Sequence, residues 1–73
     1  MIEKDEILIS KVALELKKLR EMNNLTQEDV YNDTNIHIGR IESGKSNITV
    51  STLYVLCKYF NVTIQQFFCE IGL

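Results

Sequence analysis

The side chains with the clearest chemical potential lie in one short stretch, residues 36–45. Arg40 is the most informative of them, because a guanidinium can donate two hydrogen bonds to a single acceptor edge. Ile38 and Ile41 are three residues apart, so on a helix they share one face and leave Arg40 on another. Gly44 follows, and glycine tolerates the left-handed backbone that stops a helix. The stretch therefore predicts a short helix with an apolar back, a polar front and a sharp end.

A helix this short is not stable alone, so neighbouring elements must hold it while its front faces a ligand. We interpret that ligand as the major groove of double-stranded DNA. The net charge of −2 does not favour nucleic acid, but the distribution is uneven. Residues 1–33 hold five Lys/Arg against eight Asp/Glu, whereas residues 34–73 hold three against two. The stretch around Arg40 thus lies in the mildly basic half, which permits DNA binding without requiring it.

Other chemistries find little support in the sequence. Cys57 and Cys69 lack metal-ligand spacing, so we expect two reduced thiols, the first in the core and the second partly exposed. His37 is the sole histidine and has no nucleophile–carboxylate set around it. We therefore predict a protein that is not an enzyme and holds no metal or cofactor. No apolar run approaches the roughly 18 residues of a membrane span, and a cytoplasmic location is expected.

Hydrophobic periodicity and capping residues predict five short helices in one domain that spans residues 1–73. No segment alternates with period two, so the expected fold class is all-α. Residues 1–6 are expected to be a frayed lead-in. The predicted elements are helix 1 from about residue 6 to Met22, helix 2 after an N-cap at Thr26 to Asp33 or Thr34, helix 3 from Asn35 to Ser43, helix 4 after Thr49 or Ser51, and helix 5 after a capping box of Thr63 and Gln66.

The ordered series of motifs resembles the Cro/XRE-like, phage-repressor type of helix-turn-helix family. The likeness covers roughly residues 12–68. It implies a five-helix DNA-binding domain in which helices 2 and 3 form the helix-turn-helix. The residues that carry it are Leu16, Leu19, Arg20, Leu25, Thr26, Gln27, Glu28, Ile38, Arg40, Ile41, Glu42, Ser43, Gly44, Lys45, Thr52, Leu53, Asn61, Val62, Thr63 and Phe67.

The resemblance also implies roles for individual residues. Gln27 opens helix 2, where the family grips a phosphate, and Arg40 matches a base-reading position. Ser43 and Lys45 flank the end of helix 3, where the family touches the DNA backbone. The full set of implied DNA contacts is Thr26, Gln27, Asn35, His37, Arg40, Ser43 and Lys45. The resemblance further implies an ion pair between Arg20 and Glu42, which would tie helix 1 to the end of helix 3.

The chain departs from the family pattern between Gln27 and Ile38, where it is about three residues shorter. The usual turn glycine is missing, and residues 33–35 stand in its place. The sequence leaves open whether the loss falls at the end of helix 2, in the turn or at the start of helix 3. Asn35 is therefore either a DNA contact or the N-cap of helix 3, and His37 either a phosphate contact or a surface residue. Tyr31 is equally open between core packing and DNA.

Helix 5 carries more apolar surface than a small domain needs. One interpretation is that Ile64 and Phe67 complete the core of the monomer. We predict in addition a homodimer interface on this helix, formed by Phe67, Phe68, Ile71 and Leu73. The expected function is a sequence-specific transcriptional regulator that binds operator DNA as a homodimer. The alternative is a protein-interaction module, such as the antitoxin of a toxin–antitoxin pair.

Overall fold

Five α-helices make up most of residues 5–73, the part of the chain that the computed structural model describes. The helices are α1 (Glu6–Met22), α2 (Gln27–Thr34), α3 (Ile38–Glu42), α4 (Val50–Tyr59) and α5 (Ile64–Glu70). The described range contains no strand, and the all-α prediction is confirmed. None of these helices is long and apolar enough to cross a membrane.

Threonine side chains begin three of the helices, as the capping signals predict. Thr26, Thr49 and Thr63 each accept a hydrogen bond from the backbone N–H three residues on, which satisfies an otherwise unpaired donor. The boxes at Thr26 and Thr63 are closed by Asp29 and Gln66, whose side chains accept from the backbone N–H of the cap.

The start of α1 corrects the predicted lead-in. Asp5 is the N-cap of α1, because its carboxylate accepts a hydrogen bond from the Leu8 N–H at 3.0 Å. Glu6 is already helical. The expectation that residues 1–6 are frayed is therefore wrong for Asp5 and Glu6, and its remaining part, residues 1–4, lies outside the described residues.

Left-handed residues follow the helices. Asparagine enters this conformation more readily than other residues with a side chain, because its amide can hydrogen-bond locally. Three helix ends in residues 5–73 use asparagine and two use glycine. The five residues and their φ angles are Asn24 (56°), Asn35 (64°), Gly44 (78°), Asn61 (62°) and Gly72 (87°).

The core is built from the inward stripe of each helix and holds the short α3 in place. The side chains with almost no exposed area are Leu16, Val30, Ile38, Leu56, Cys57 and Phe67. α3 lies against α1 and α2, and both of its isoleucines are buried, as predicted. Burial of the thiol raises the pKa of Cys57, which fits the expected core role, whereas Cys69 is exposed.

Phe67 does not belong to a subunit interface. Its side chain is 1% exposed inside the monomer core, so no area is left for a second chain, and the prediction is wrong at this position. Phe68 and Ile71 are partly buried and pack against the same core. Leu73 is 68% exposed. The apolar surface that α5 leaves open is therefore smaller than its sequence indicates.

Candidate nucleic-acid interface

A buried ion pair fixes the C-terminal end of α3. Arg20 of α1 donates from Nε to Glu42 Oε2 at 2.7 Å and from Nη2 to Glu42 Oε1 at 3.0 Å, a bidentate geometry. Its Nη1 donates to the Leu25 carbonyl at 2.8 Å, which holds the loop before α2. The Arg20 and Glu42 side chains are 11% and 4% exposed, and their hydrogen bond raises the pKa of Arg20 above its ordinary value. The structure thus brings together the two residues that the resemblance pairs.

Gln27, the first residue of α2, is held against α3 by the same carboxylate. Its Nε2 donates to Glu42 Oε1 at 3.1 Å, so one oxygen of Glu42 accepts from both α1 and α2. Gly39 has no Cβ, and one added there would lie only 2.7 Å from Gln27 Oε1, so the Gln27 side chain packs closely over this glycine. An amide has two N–H donors, so the exposed Gln27 keeps one for a ligand. Residue spacing predicts neither partner of Gln27, although a glycine within a helix can signal a close approach.

The turn between α2 and α3 shows where the missing residues fall. α2 continues to Thr34, and the Asn35 N–H closes it by donating to the Tyr31 carbonyl at 2.8 Å. Asn35 has the positive φ of the usual turn glycine. α3 begins only at Ile38 and has five residues. The loss is therefore at the start of helix 3, since helix 2 and its left-handed terminus are both present.

One prediction about this turn is wrong, and one of the two alternatives for Asn35 is excluded. Helix 3 does not begin at Asn35, because a left-handed residue cannot continue a right-handed helix. Asn35 is also not the N-cap of α3, because α3 begins at Ile38, and it is instead the C-cap of α2. The N-cap position of α3 belongs to His37, whose side chain makes no capping hydrogen bond. The His37 imidazole therefore makes no hydrogen bond to the backbone N–H groups at the start of α3.

The outward side of α3 carries one polar residue in each turn. His37, Arg40 and Ser43 are all exposed and follow one another at three-residue spacing, whereas Ile38 and Ile41 face the core. Within residues 5–73 no side chain pairs with the Arg40 guanidinium. The Ser43 hydroxyl is engaged, because it donates to the Arg40 carbonyl at 2.6 Å. Arg40 is therefore the long donor that this face presents to solvent.

An aromatic stack lies beside the start of α3. The rings of Tyr31 and His37 have centroids 4.4 Å apart and planes 26° apart. Tyr31 is 38% exposed, so it is neither a core residue nor fully solvated. The sequence leaves the role of Tyr31 open, because two residues six apart across a turn have no helical periodicity that could reveal their contact.

The remaining predicted contacts lie at the edges of this surface. Thr26 is exposed but engaged in its capping box, and the hydrogen bond from its N–H lowers the pKa of Asp29. Asp29 and Glu28 add negative charge in the first turn of α2. Lys45 is exposed beyond the end of α3 and lines a shallow cleft with Glu6 at the start of α1. Positive charge is therefore concentrated on the α3 side of the surface.

Comparisons with known proteins match this arrangement. The family model described as helix-turn-helix matches residues 16–67. The control protein C.SmaI of Serratia marcescens is 32% identical to this chain over 65 residues, which is 85% of the chain and 77% of that protein. No solved structure matches the chain. The family match spans α2, the shortened turn and α3 together.

Proposed function

The chain belongs to the Cro/XRE-type helix-turn-helix family of DNA-binding transcription regulators, and we propose that it binds operator DNA as a homodimer with α3 in the major groove. Arg40 would read a base edge, and guanine suits it, because its O6 and N7 together accept two guanidinium hydrogen bonds. Gln27 and Lys45 would hold backbone phosphates on either side of α3.

The observation that carries the proposal is the fixed position of α3. The Glu42 carboxylate ties its last turn to α1 through Arg20 and to α2 through Gln27, while its isoleucines enter the core. A five-residue helix anchored in this way presents Arg40 at a defined position and in a defined direction. Such rigidity suits readout of a base edge better than a mobile loop does.

The other predicted contacts take smaller roles. The backbone of Asn35 is committed to closing α2, and the Ser43 hydroxyl to the Arg40 carbonyl, so each would reach a phosphate only with its remaining polar atoms. Thr26 would act with Gln27 at the start of α2, and His37 beside Arg40. No cofactor enters this proposal, and a cytoplasmic location is part of it.

A homodimer is the natural form for operator binding, because two-fold symmetry presents two α3 helices about one helical turn apart, at ~34 Å. The exposed Leu73, with the partly buried Phe68 and Ile71, forms the α5 edge that we assign to this contact. The relative C.SmaI is named a control protein, which is consistent with a regulatory role for this chain.

The test is selection from a pool of random duplex DNA, with fluorescence anisotropy over a salt titration and sequencing of the retained fraction. We expect steeply salt-dependent binding and enrichment of a motif with two-fold symmetry. Salt-dependent binding without an enriched motif would contradict base readout by Arg40. Absence of binding at low salt would contradict the proposal as a whole and favour a protein-interaction module instead.

A further inference from the structure

We propose that the stacked pair of Tyr31 and His37 is a second base-reading element, and that it contacts the methyl group of a thymine next to the base pair that Arg40 reads. This inference rests on the proposed function. It adds Tyr31 to the DNA-contacting surface and gives the pair a specific target.

The need for a second element follows from the length of α3. With five residues and Ile38 and Ile41 in the core, α3 offers Arg40 as its one long outward donor. One bidentate arginine–guanine pair discriminates by roughly ten- to a hundredfold. A DNA-binding protein typically binds its specific site about 10³- to 10⁷-fold more tightly than non-specific DNA. A symmetric pair of arginines therefore reaches only the lower part of that range.

The position of the stack fits the role. His37 lies three residues before Arg40, and the Arg40 N–H donates to the His37 carbonyl at 3.1 Å, so the two side chains project from successive points on one face. The Tyr31 ring stacks on the imidazole, with the ring centroids 4.4 Å apart. The stack thus adds a second aromatic ring beside the N-cap of α3, next to the outward side chains of His37 and Arg40.

The surface properties of the pair also point to a ligand. Tyr31 keeps 38% of its area exposed, and within residues 5–73 no group hydrogen-bonds to its hydroxyl. His37 is exposed and caps no helix with its side chain. Stacking limits the rotamers of both rings, so little conformational freedom is lost on binding. The pair is a preorganised aromatic surface at the edge of the polar face of α3.

Thymine is the base that such a surface distinguishes. Its C5 methyl group is the apolar feature of the major groove, and aromatic or aliphatic side chains contact it. Excluding one methyl group from water against a ring is worth about a fourfold change in affinity. The expected preference is therefore modest at one position, independent of Arg40 and separate from any phosphate contact.

The test removes single methyl groups from the DNA and compares the effect between the wild type and variants of the protein. Each thymine of the selected site is replaced in turn by deoxyuridine, and affinity is measured by anisotropy for the wild type, Tyr31→Phe, Tyr31→Ala and Arg40→Ala. Tyr31→Phe keeps the ring without the hydroxyl. We expect one thymine per half-site whose replacement weakens wild-type binding about fourfold. Tyr31→Phe and Arg40→Ala should show the same effect, and Tyr31→Ala should lose it.

Two outcomes would overturn the inference. If no deoxyuridine substitution weakens wild-type binding, the stack reads no methyl group, whatever the variants do. If Tyr31→Ala remains as sensitive as the wild type, another residue contacts the methyl group. If circular dichroism shows that Tyr31→Ala does not fold, His37→Ala takes its place, with the same loss of sensitivity expected. A symmetric selected motif together with either failure would leave the proposed function intact.

Discussion

Glu42 Oε1 lies 3.0 Å from Arg20 Nη2 and 3.1 Å from Gln27 Nε2, so a single carboxylate oxygen joins three helices. The ion pair is structural, since both of its side chains are nearly buried. Gln27, by contrast, is exposed and lies on the proposed DNA surface. Stability and DNA binding therefore share one anchor in this protein, and the two can be separated by choosing which of its contacts to remove.

Replacing Glu42 with alanine is expected to destabilise the domain strongly. The change leaves the Arg20 guanidinium buried without its counter-charge, and loss of one partner from a buried pair costs about 3–5 kcal/mol. Small domains have only about 5–15 kcal/mol in total. Urea denaturation followed by circular dichroism measures the loss. Glu70→Ala is the matched control, because it breaks an exposed pair with Lys18 and should leave the free energy of unfolding nearly unchanged.

Replacing Gly39 with alanine is expected to weaken DNA binding without unfolding the protein. The new Cβ would lie 2.7 Å from the Gln27 side-chain oxygen, so that flexible amide must move away from Glu42. Alanine is also the better helix former, by about 1 kcal/mol. The melting temperature should therefore hold or rise while affinity falls. Unchanged affinity for the selected site would show that the position of Gln27 does not matter to binding.

Alanine substitutions of Arg40 and Lys45 are expected to change DNA binding in different ways. Arg40→Ala removes the proposed base contact, so it should relax the selected motif by about 1–3 kcal/mol at one base pair. Lys45→Ala removes the proposed phosphate contact, so it should weaken binding to selected and random DNA equally and lower the salt slope by about one. Anisotropy on both DNAs separates the two. An equal loss on both for Arg40→Ala would contradict its assignment.

Tyr59 is expected to make stability depend on alkaline pH. Its hydroxyl donates to Asp33 at 2.6 Å, and this hydrogen bond raises the pKa of Tyr59 to about 12 from an ordinary value near 10. Since the folded pKa is the higher one, the stabilisation is complete below pH 10 and is lost as pH rises through 12. Tyr59→Phe should be less stable by about 0.5–1 kcal/mol at pH 8, and the gap should close in that window. Denaturant titrations at pH 8 to 12 test this, with Tyr54→Phe as control.

Two changes near the C-terminus are expected to separate folding from dimerisation. Leu73→Asp places a charge on a residue that is 68% exposed, so it should abolish the dimer and leave the monomer folded. Phe67→Ala empties a position that is 1% exposed and should cost about 3–5 kcal/mol of stability. Sedimentation and thermal melting distinguish the two. A wild-type chain that sediments as a monomer at high micromolar concentration, with and without DNA, would contradict the dimer.

Local rules of the sequence predicted most of the helices well, helix 3 excepted, because caps and apolar stripes are specified by neighbouring residues. Thr26 and Thr63 mark helix starts that the structure confirms, since a capping hydroxyl acts within three residues. For helix 4 the sequence left Thr49 and Ser51 open, and the cap is Thr49. The buried faces of α3 and α4 follow equally from apolar spacing. The family and its all-α fold were also evident at this level, from motifs in a fixed order, and the helix-turn-helix match confirms them.

The contacts between helices could not be predicted from the sequence and are seen only in the tertiary structure. No rule of spacing connects Gln27 to Glu42, stacks Tyr31 on His37 or shows that Phe67 is fully buried in the monomer, because these depend on how helices approach one another. The position of the missing residues between Gln27 and Ile38 was undecided for the same reason. The sequence shows about how many residues are absent but not which element is shorter. The sequence by itself thus determined the helices, the family and the outward Arg40, whereas only the tertiary structure decided that helix 3 is the shortened element and what lies beside it.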